Sequence, residues 1–289
     1  MNWVNALIQG ILLGGLYAIF ATGLSIAFGV MRFVNLAHGD LAILAGYLTL
    51  STAATAGVDH SIAIILVVVI MGLVGYLGQQ ALFNRTVGPD PLAGILCTFG
   101  LGVVIQNVLL ERYSATDRFL DAGKIETDSI QLNDSISLGV FPLLTFLFAV
   151  LLLGVLQIFL SRTRLGRAFR ATADDPQTAQ LMGINDKQIY GLAMAIAFAT
   201  VGIAGYFLGA RETFAPSSGP SQLLFGFEAV VIGGLGSLWG TLVGGIVLGV
   251  SQTLGNQFSV GLNLLVGHVV FLLVLAFRPN GLFGTGVRS

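Results

Sequence analysis

The chain is 289 residues long, 55% hydrophobic and only 9% charged, with a formal net charge of −1. A soluble globular domain carries about 25% charged residues, so that class is excluded, and a chain without excess positive charge offers no basic surface for nucleic acid. The single cysteine, Cys97, cannot form an internal disulfide and reads as a buried structural thiol.

The opening stretch "MNWVNALIQG" lacks a positive start, and its uncharged run continues to Met31. That is too long for the apolar region of a cleaved signal, so a retained first span is predicted. A crossing needs roughly 20 apolar residues, and many helices, each satisfying its own backbone, are the economical way to use such runs. Spans are predicted over about 4–30, 36–56, 61–84, 91–110, 138–160 and 190–210. Residues 111–137 hold six acids (Glu111, Asp117, Asp121, Glu126, Asp128, Asp134) against three bases. If the spans alternate, Arg32, Arg85 and the Arg-rich segment 161–190 share the opposite face. The positive-inside rule makes that face cytoplasmic, with 111–137 as an extracytoplasmic loop and the N-terminus outside.

Segment 161–190 carries four arginines, three aspartates and a lysine between apolar halves. Asp175 followed by Pro176 is a helix start, and Asp174, three before Gln177, is an alternative cap. Gly183 suits a stop, which leaves a helix over 176–182, too short to stand alone in water. Asn185, three before Gln188, starts the next helix, which runs into a span. Two readings stay open. The segment lies on headgroups through Arg162, Arg164, Arg167 and Arg170, or it is a lever through which a soluble partner moves the spans.

From Ala229 to Phe277 no Asp, Glu, Lys or Arg occurs. "GNQFSVG" (255–261) is the predicted turn, leaving 229–254 and 262–277, and "GGLGSLWG" (233–240) interrupts the first piece, since glycine disfavours a helix interior. If a short helix near 222–235 crosses, Arg278 and Arg288 end in the cytoplasm; if it dips and returns, they end outside. The fold class is therefore all-α and polytopic, with eight to ten membrane elements. Glycines four apart (Gly10/Gly14, Gly205/Gly209, Gly240/Gly244, Gly245/Gly249) mark close helix approach, within the chain or at a subunit interface.

Few polar groups lie inside the spans. Asn35 is a candidate cap, and His38 and Asp40 are either a helix start touching headgroups or a polar element of a path on the cytoplasmic side. Glu228 stands beside the helix break and near "FAPSSGPS" (214–221), as an interfacial acid facing outside or as part of a broken-helix site. Gln106 and Asn107 are candidates for bonds between helices, and so is His268. One His and one Asp two apart, without a third ligand, make no metal site. "PSSGPS" with His268 offers a serine and a base, but position 216 is proline, where intramembrane serine proteases of the rhomboid type have Gly-x-Ser-Gly. A non-catalytic chain is predicted.

"RAFRATADDPQTAQLMGI" resembles the cytoplasmic loop of permease subunits in bacterial ABC importers of the branched-chain amino acid class, through Arg167, Ala168, Asp174, Asp175, Ala179, Leu181, Gly183 and Ile184. The Glu-Ala-Ala core of many other importer permeases is replaced here by Pro-Gln-Thr-Ala. "GVMRFVNLAHGDLAILAGY" (29–47) resembles the same family's signature through Asn35, Leu36, Ala37, His38 and Gly39. "GGLGSLWGTLVGGIVLG" (233–249) and "RPNGLFG" (278–284) match its later regions in order.

The resemblance implies one transmembrane permease domain over 1–289, multi-pass in a bacterial inner membrane and forming half of a translocation path. It implies a second homologous permease subunit, two ATP-binding subunits that hold ATP and Mg, and an extracytoplasmic substrate-binding protein. This chain itself would bind no cofactor, having no G-x-x-x-x-G-K-[ST] run. Arg170, Asp174, Asp175, Pro176, Ala179, Leu181 and Gly183 would couple to the ATPase; Asn35, His38, Asp40 and Glu228 would be candidates for the path. The cargo would be leucine, isoleucine and valine, although related permeases carry other amino acids, urea, amides or small carboxylates. A self-sufficient secondary transporter is the competing hypothesis, and it requires mid-membrane ionisable groups, which are scarce here.

Overall fold

The computed structural model describes residues 3–32, 34–86, 91–133, 136–259 and 261–284; Asp134 and Arg288 lie outside these. The described helices are α1 (Trp3–Met31), α2 (His38–Ala56), α3 (His60–Ala81), α4 (Pro91–Tyr113), α5 (Val140–Arg162), α6 (Arg164–Asp174), α7 (Pro176–Leu181), α8 (Asp186–Gly209), α9 (Gly219–Gly233), α10 (Leu238–Phe258) and α11 (Leu262–Phe277). Between α4 and α5 an antiparallel hairpin pairs β1 (Ser129–Asn133) with β2 (Ile136–Gly139). Six helices, α1, α3, α4, α5, α8 and α10, are long and apolar enough to cross a membrane. The chain is a multi-pass, all-α membrane protein.

α1 is apolar on every side, the mark of a helix surrounded by protein. Its most apolar stretch is 83% buried, against 22% for those of α3 and α5. The peripheral helices turn Leu66, Leu96 and Leu151 outward, as faces toward lipid do. Lipid tails are as apolar as leucine, so close van der Waals contact must hold helices together. Glycine makes that contact possible. A Cβ on Gly245 of α10 would stand 2.5 Å from the Gly14 carbonyl oxygen of α1, and Gly249 meets Gly10 in the same way. Gly240 and Gly244 lie on the backbone of Gly233 and Ala229 in α9, and Gly205 of α8 lies on Ala42 of α2. The four-apart glycines thus make contacts inside the chain.

The bundle has two distinct ends. At one, Gln9 donates to the Ser137 carbonyl at 2.8 Å, Leu120 N–H donates to Gly209 at 2.9 Å, and Arg118 exchanges backbone bonds with Phe214. This joins the start of α1, the acidic loop and the end of α8. At the other end Gly29 packs on Gly236, and Gly234 packs on Gly281 and Gly284. There Gln80 donates to the Lys187 carbonyl at 2.9 Å. Arg32, Arg85, segment 161–187 and Arg278 therefore gather at one end, which the positive-inside rule assigns to the cytoplasm. Of the two paths considered for the last third, the one that crosses is adopted.

Two helices start inside the bundle instead of at its surface. After α8 the chain turns back inward: Phe214 packs on Gly46 and, edge-on at 5.1 Å, on Tyr47. α9 then begins against Gly39 at the start of α2. α2 itself begins beside Phe20, in the interior of the 29-residue α1. His38 and Asp40 therefore do not form a helix start at the headgroups, because α2 resumes beside the interior of α1. α10 runs through most of the predicted 255–261 turn, to Phe258, and the glycine break falls between α9 and α10 at 234–237. The hairpin and α6 were not anticipated, and Cys97 is half-buried, not buried.

Substituting Gly245→Ala should lower the thermal unfolding midpoint of the detergent-purified protein, since overpacking costs about 1–3 kcal/mol. Gly100→Ala, where an added Cβ meets nothing within 4 Å, should leave it unchanged or raise it. Equal losses at both positions would mean that the α1–α10 crossing is wrongly drawn.

Candidate functional site

The mid-height junction is assembled from short-range polar ties. Asn35 does not cap α2, whose cap position is Ala37 without a side-chain bond. Its Oδ1 instead accepts from Ala37 N–H at 3.0 Å, its carbonyl accepts from His38 N–H at 3.2 Å, and the Thr98 hydroxyl of α4 accepts from Leu36 N–H at 3.2 Å. His38 is buried. Its Nε2 faces the Phe20 carbonyl at 2.8 Å, and since a carbonyl can only accept, Nε2 carries the proton. Its ring meets Phe20 edge-on at 5.0 Å.

Asp40 is 4% exposed and accepts from Gln106 Nε2 of α4 at 2.8 Å. Gly102 and Gly219, the first residue of α9, lie so close to its carboxylate that neither has room for a Cβ. The positive N-terminal end of α9 favours the carboxylate, so one side chain ties α2, α4 and α9. Gln106 bonds between helices as expected, whereas Asn107 donates to Val103 of its own helix at 2.8 Å.

Glu228 lies apart from this junction, nine positions along α9, or about 13 Å at 1.5 Å per residue. It is 1% exposed, and its Oε1 is 2.6 Å from His268 Nδ1 of α11. It is therefore not the outward-facing interfacial acid of one sequence reading, and His268 does bond between helices. Phe225 stacks on His268 with ring centroids 6.3 Å apart, and it also packs on Tyr17, whose hydroxyl donates to Gln252 Oε1 at 2.6 Å.

The basic end carries the second part. Thr163 caps α6 by accepting from Gly166 N–H at 3.0 Å. Phe169 is buried against Phe159, and Gly166 rests on the Leu160 backbone. Arg170 donates to the Leu160 carbonyl, so this residue, expected at the ATPase, is folded back onto α5. Asp174 ends α6. Asp175 is the cap of α7, accepting from Gln177 N–H at 3.0 Å and Thr178 N–H at 3.1 Å, with the Thr178 hydroxyl at 2.5 Å.

The Thr178 hydroxyl first, then the two backbone donors, hold the Asp175 carboxyl below the usual carboxylate range. A depressed folded value means the cap's contribution is complete above the ordinary value and is lost as pH falls through the folded one. Gly183, at φ +82°, closes the helix by donating to Gln180 at 2.9 Å.

Ala179, one of the residues expected to couple to the ATPase, is 4% exposed and faces the protein. The projecting residues are Leu181, 87% exposed, and Met182, 79% exposed. Met182 was not singled out from the sequence; it lies just past the end of α7, where no helix periodicity places it. Residues 182–185 then lead into α8, capped by Asn185 accepting from Gln188 N–H at 3.2 Å. α8 carries its backbone against Gly23 of α1 and Gly75 of α3, and Gly205 against α2.

Residues 6–276 match the family model described as "Branched-chain amino acid transport system / permease component". The chain is 27% identical over 296 residues to the high-affinity branched-chain amino acid transport system permease protein BraD of Pseudomonas aeruginosa, covering 98% of this chain and 96% of that one. Against LivH of Salmonella typhimurium, a permease protein of the same description, it is 26% identical over 297 residues, with 98% and 96% covered. LivM of Escherichia coli, also so described, is 35% identical over 144 residues, 47% of this chain and 34% of that one.

A double-mutant cycle on Glu228→Gln and His268→Gln tests the buried pair. Coupling in thermal or denaturant unfolding should be about 0.6 kcal/mol or more, the average for hydrogen bonds between membrane helices, whose maximum is about 1.7 kcal/mol. Strict additivity would show that the two side chains do not meet.

Proposed function

The chain belongs to the family of branched-chain amino acid transport permeases, and from that premise we propose that it is a transmembrane subunit of a binding-protein-dependent ABC importer. It forms half of the path for leucine, isoleucine, valine or similarly small amino acids across a bacterial inner membrane. Its partners are a second homologous permease, two ATPases that hold ATP and Mg, and an extracytoplasmic binding protein. Similarity to relatives named both LivH and LivM supports a paired permease.

One observation carries the reading. α7 is capped at both ends, projects Leu181 and Met182 from the basic end, and is joined by four residues to α8. Adjacent apolar side chains outside the hydrocarbon belt mark a surface built for a partner. A push on α7 reaches α8, and through Gly205 and Ala42 it reaches α2, whose first turn holds the mid-height junction. Asp174, Asp175, Pro176 and Gly183 shape this lever; Leu181 and Met182 contact the ATPase. At the junction, Asn35, His38 and Asp40 set where α2 starts and hold α9 against it. Solute selectivity comes from the binding protein, so the path needs few charged groups.

The Glu228–His268 pair favours a second reading, since paired ionisable groups within the membrane are elements of proton-coupled carriers. Both readings are separated by one preparation. The tagged chain, extracted from native membranes in mild detergent, should bring down an ATPase, and the double change Leu181→Glu with Met182→Glu should release it. Because both side chains are exposed, the unfolding midpoint should not move. A chain that purifies alone and carries leucine into liposomes on a proton gradient without ATP would establish the carrier instead.

A further inference from the structure

A cavity of about 250 Å³ opens between the start of α1, the end of α10 and the start of α11. It lies at the acidic end, where Gln9 is tied to the Ser137 carbonyl of the hairpin and Trp3 packs on Phe258 at 5.4 Å. Six of the nine lining residues are carboxamides: Asn5, Gln9, Gln252, Asn256, Gln257 and Asn263. Thr253 adds a hydroxyl, and Ala6 and Leu13 supply an aliphatic wall. No charged side chain lines it among the described residues.

Such a lining selects by chemistry. A carboxamide offers two donors and an acceptor with no net charge. A dense set of them answers a solute that carries both donors and acceptors but no net charge. An anion would be held by arginine or lysine and a cation by carboxylates, and an apolar guest would not require so many amides. The volume falls just below the roughly 300–1,000 Å³ of pockets for drug-sized ligands, so the guest is smaller than those.

Gln252 is fixed in this wall: it is 5% exposed, and its Oε1 is taken by the Tyr17 hydroxyl at 2.6 Å.

We infer that this cavity is an outer binding site for a neutral zwitterionic amino acid, whose polar ends meet the carboxamides and whose aliphatic side chain lies against Ala6 and Leu13. The choice of amino acid over other uncharged polar solutes rests on the transport reading above; the chemistry of the cavity does not. The absence of charge makes the site one of passage, since it gives many hydrogen bonds and no ion pair to slow release.

The test uses the complex as purified, with Cys97→Ser and Asn256→Cys placing the only thiol of the chain at the cavity mouth. Maleimide labelling at that thiol should be slowed about tenfold by L-leucine at ten times its Kd, and not by succinate or putrescine at the same concentration. Gln252→Leu should abolish the protection. Asn263→Leu, at the rim, should weaken it where Gln252→Leu does not fold. Folding in each variant is read from the unliganded labelling rate and retained partners. Equal slowing by succinate or putrescine, slowing by acetamide alone, or protection that survives both leucine substitutions would overturn the inference. A complex that retains its ATPase but shows no leucine protection removes this site alone. Protection in a chain that never binds an ATPase leaves the site and removes the importer reading.

Discussion

Backbone touching backbone at glycine is the constraint on which the rest of this molecule depends. Within a bilayer the hydrophobic effect gives no preference for helix over lipid, so cohesion must come from surfaces that fit without side chains between them. α1 and α10 meet at Gly10, Gly14, Gly245 and Gly249, and α9 meets α10 at Gly233, Gly240 and Gly244. The same device lets α2 and α9 begin against one another, with Gly39 on Gly219. At these contacts a methyl group meets backbone, which cannot swing aside as a flexible side chain can.

Close approach also decides where polar groups can be kept. A helix that starts in mid-membrane exposes N–H groups that no water satisfies, and buried charge needs partners. Both demands are met together. Asp40 faces the first residue of α9 while Gln106 donates to it, and Asn35 satisfies the turn into α2. Glu228 with His268, and Tyr17 with Gln252, do the same between α9, α10, α11 and α1. The buried side chains His38, Asp40 and Glu228 thus lie where regular crossing is interrupted or where peripheral α11 must be fixed.

Much of this was legible in the sequence, for identifiable reasons. Uncharged runs located most of the spans, arginines located one end, and Asp175, Pro176, Gly183 and Asn185 marked α7 and the start of α8, because these signals are local. Depth is not local. Nothing in "RFVNLAHGD" or "FAPSSGPS" reports that the chain re-enters the bundle before helix begins, since an irregular apolar segment reads alike at the surface and inside. Ala179 looked like a contact residue because it matched a pattern; only packing shows that its face is inward and that Leu181 and Met182 project. The cavity's six carboxamides were invisible for a similar reason. They come from three helices, the first more than 200 residues from the other two, and each, taken singly, is an unremarkable amide.

On the proposed importer reading, the position of α8 would carry a displacement of α7 to mid-height. A flexible connection would lose a displacement to bending, but α7 and α8 are separated by four residues, and both neighbouring caps are made. α8 then sets the Ala197 carbonyl against Gly23 of α1, the Met194 carbonyl against Gly75 of α3 and Gly205 against Ala42 of α2. Close-packed elements of this kind shift between discrete arrangements instead of deforming smoothly. On the same reading the pieces free to yield are residues 34–37 and 210–215, which lead toward α2 and α9. The junction held by Asp40 lies where both pieces end, so on that reading it is where a movement of α8 would act on the two helix starts.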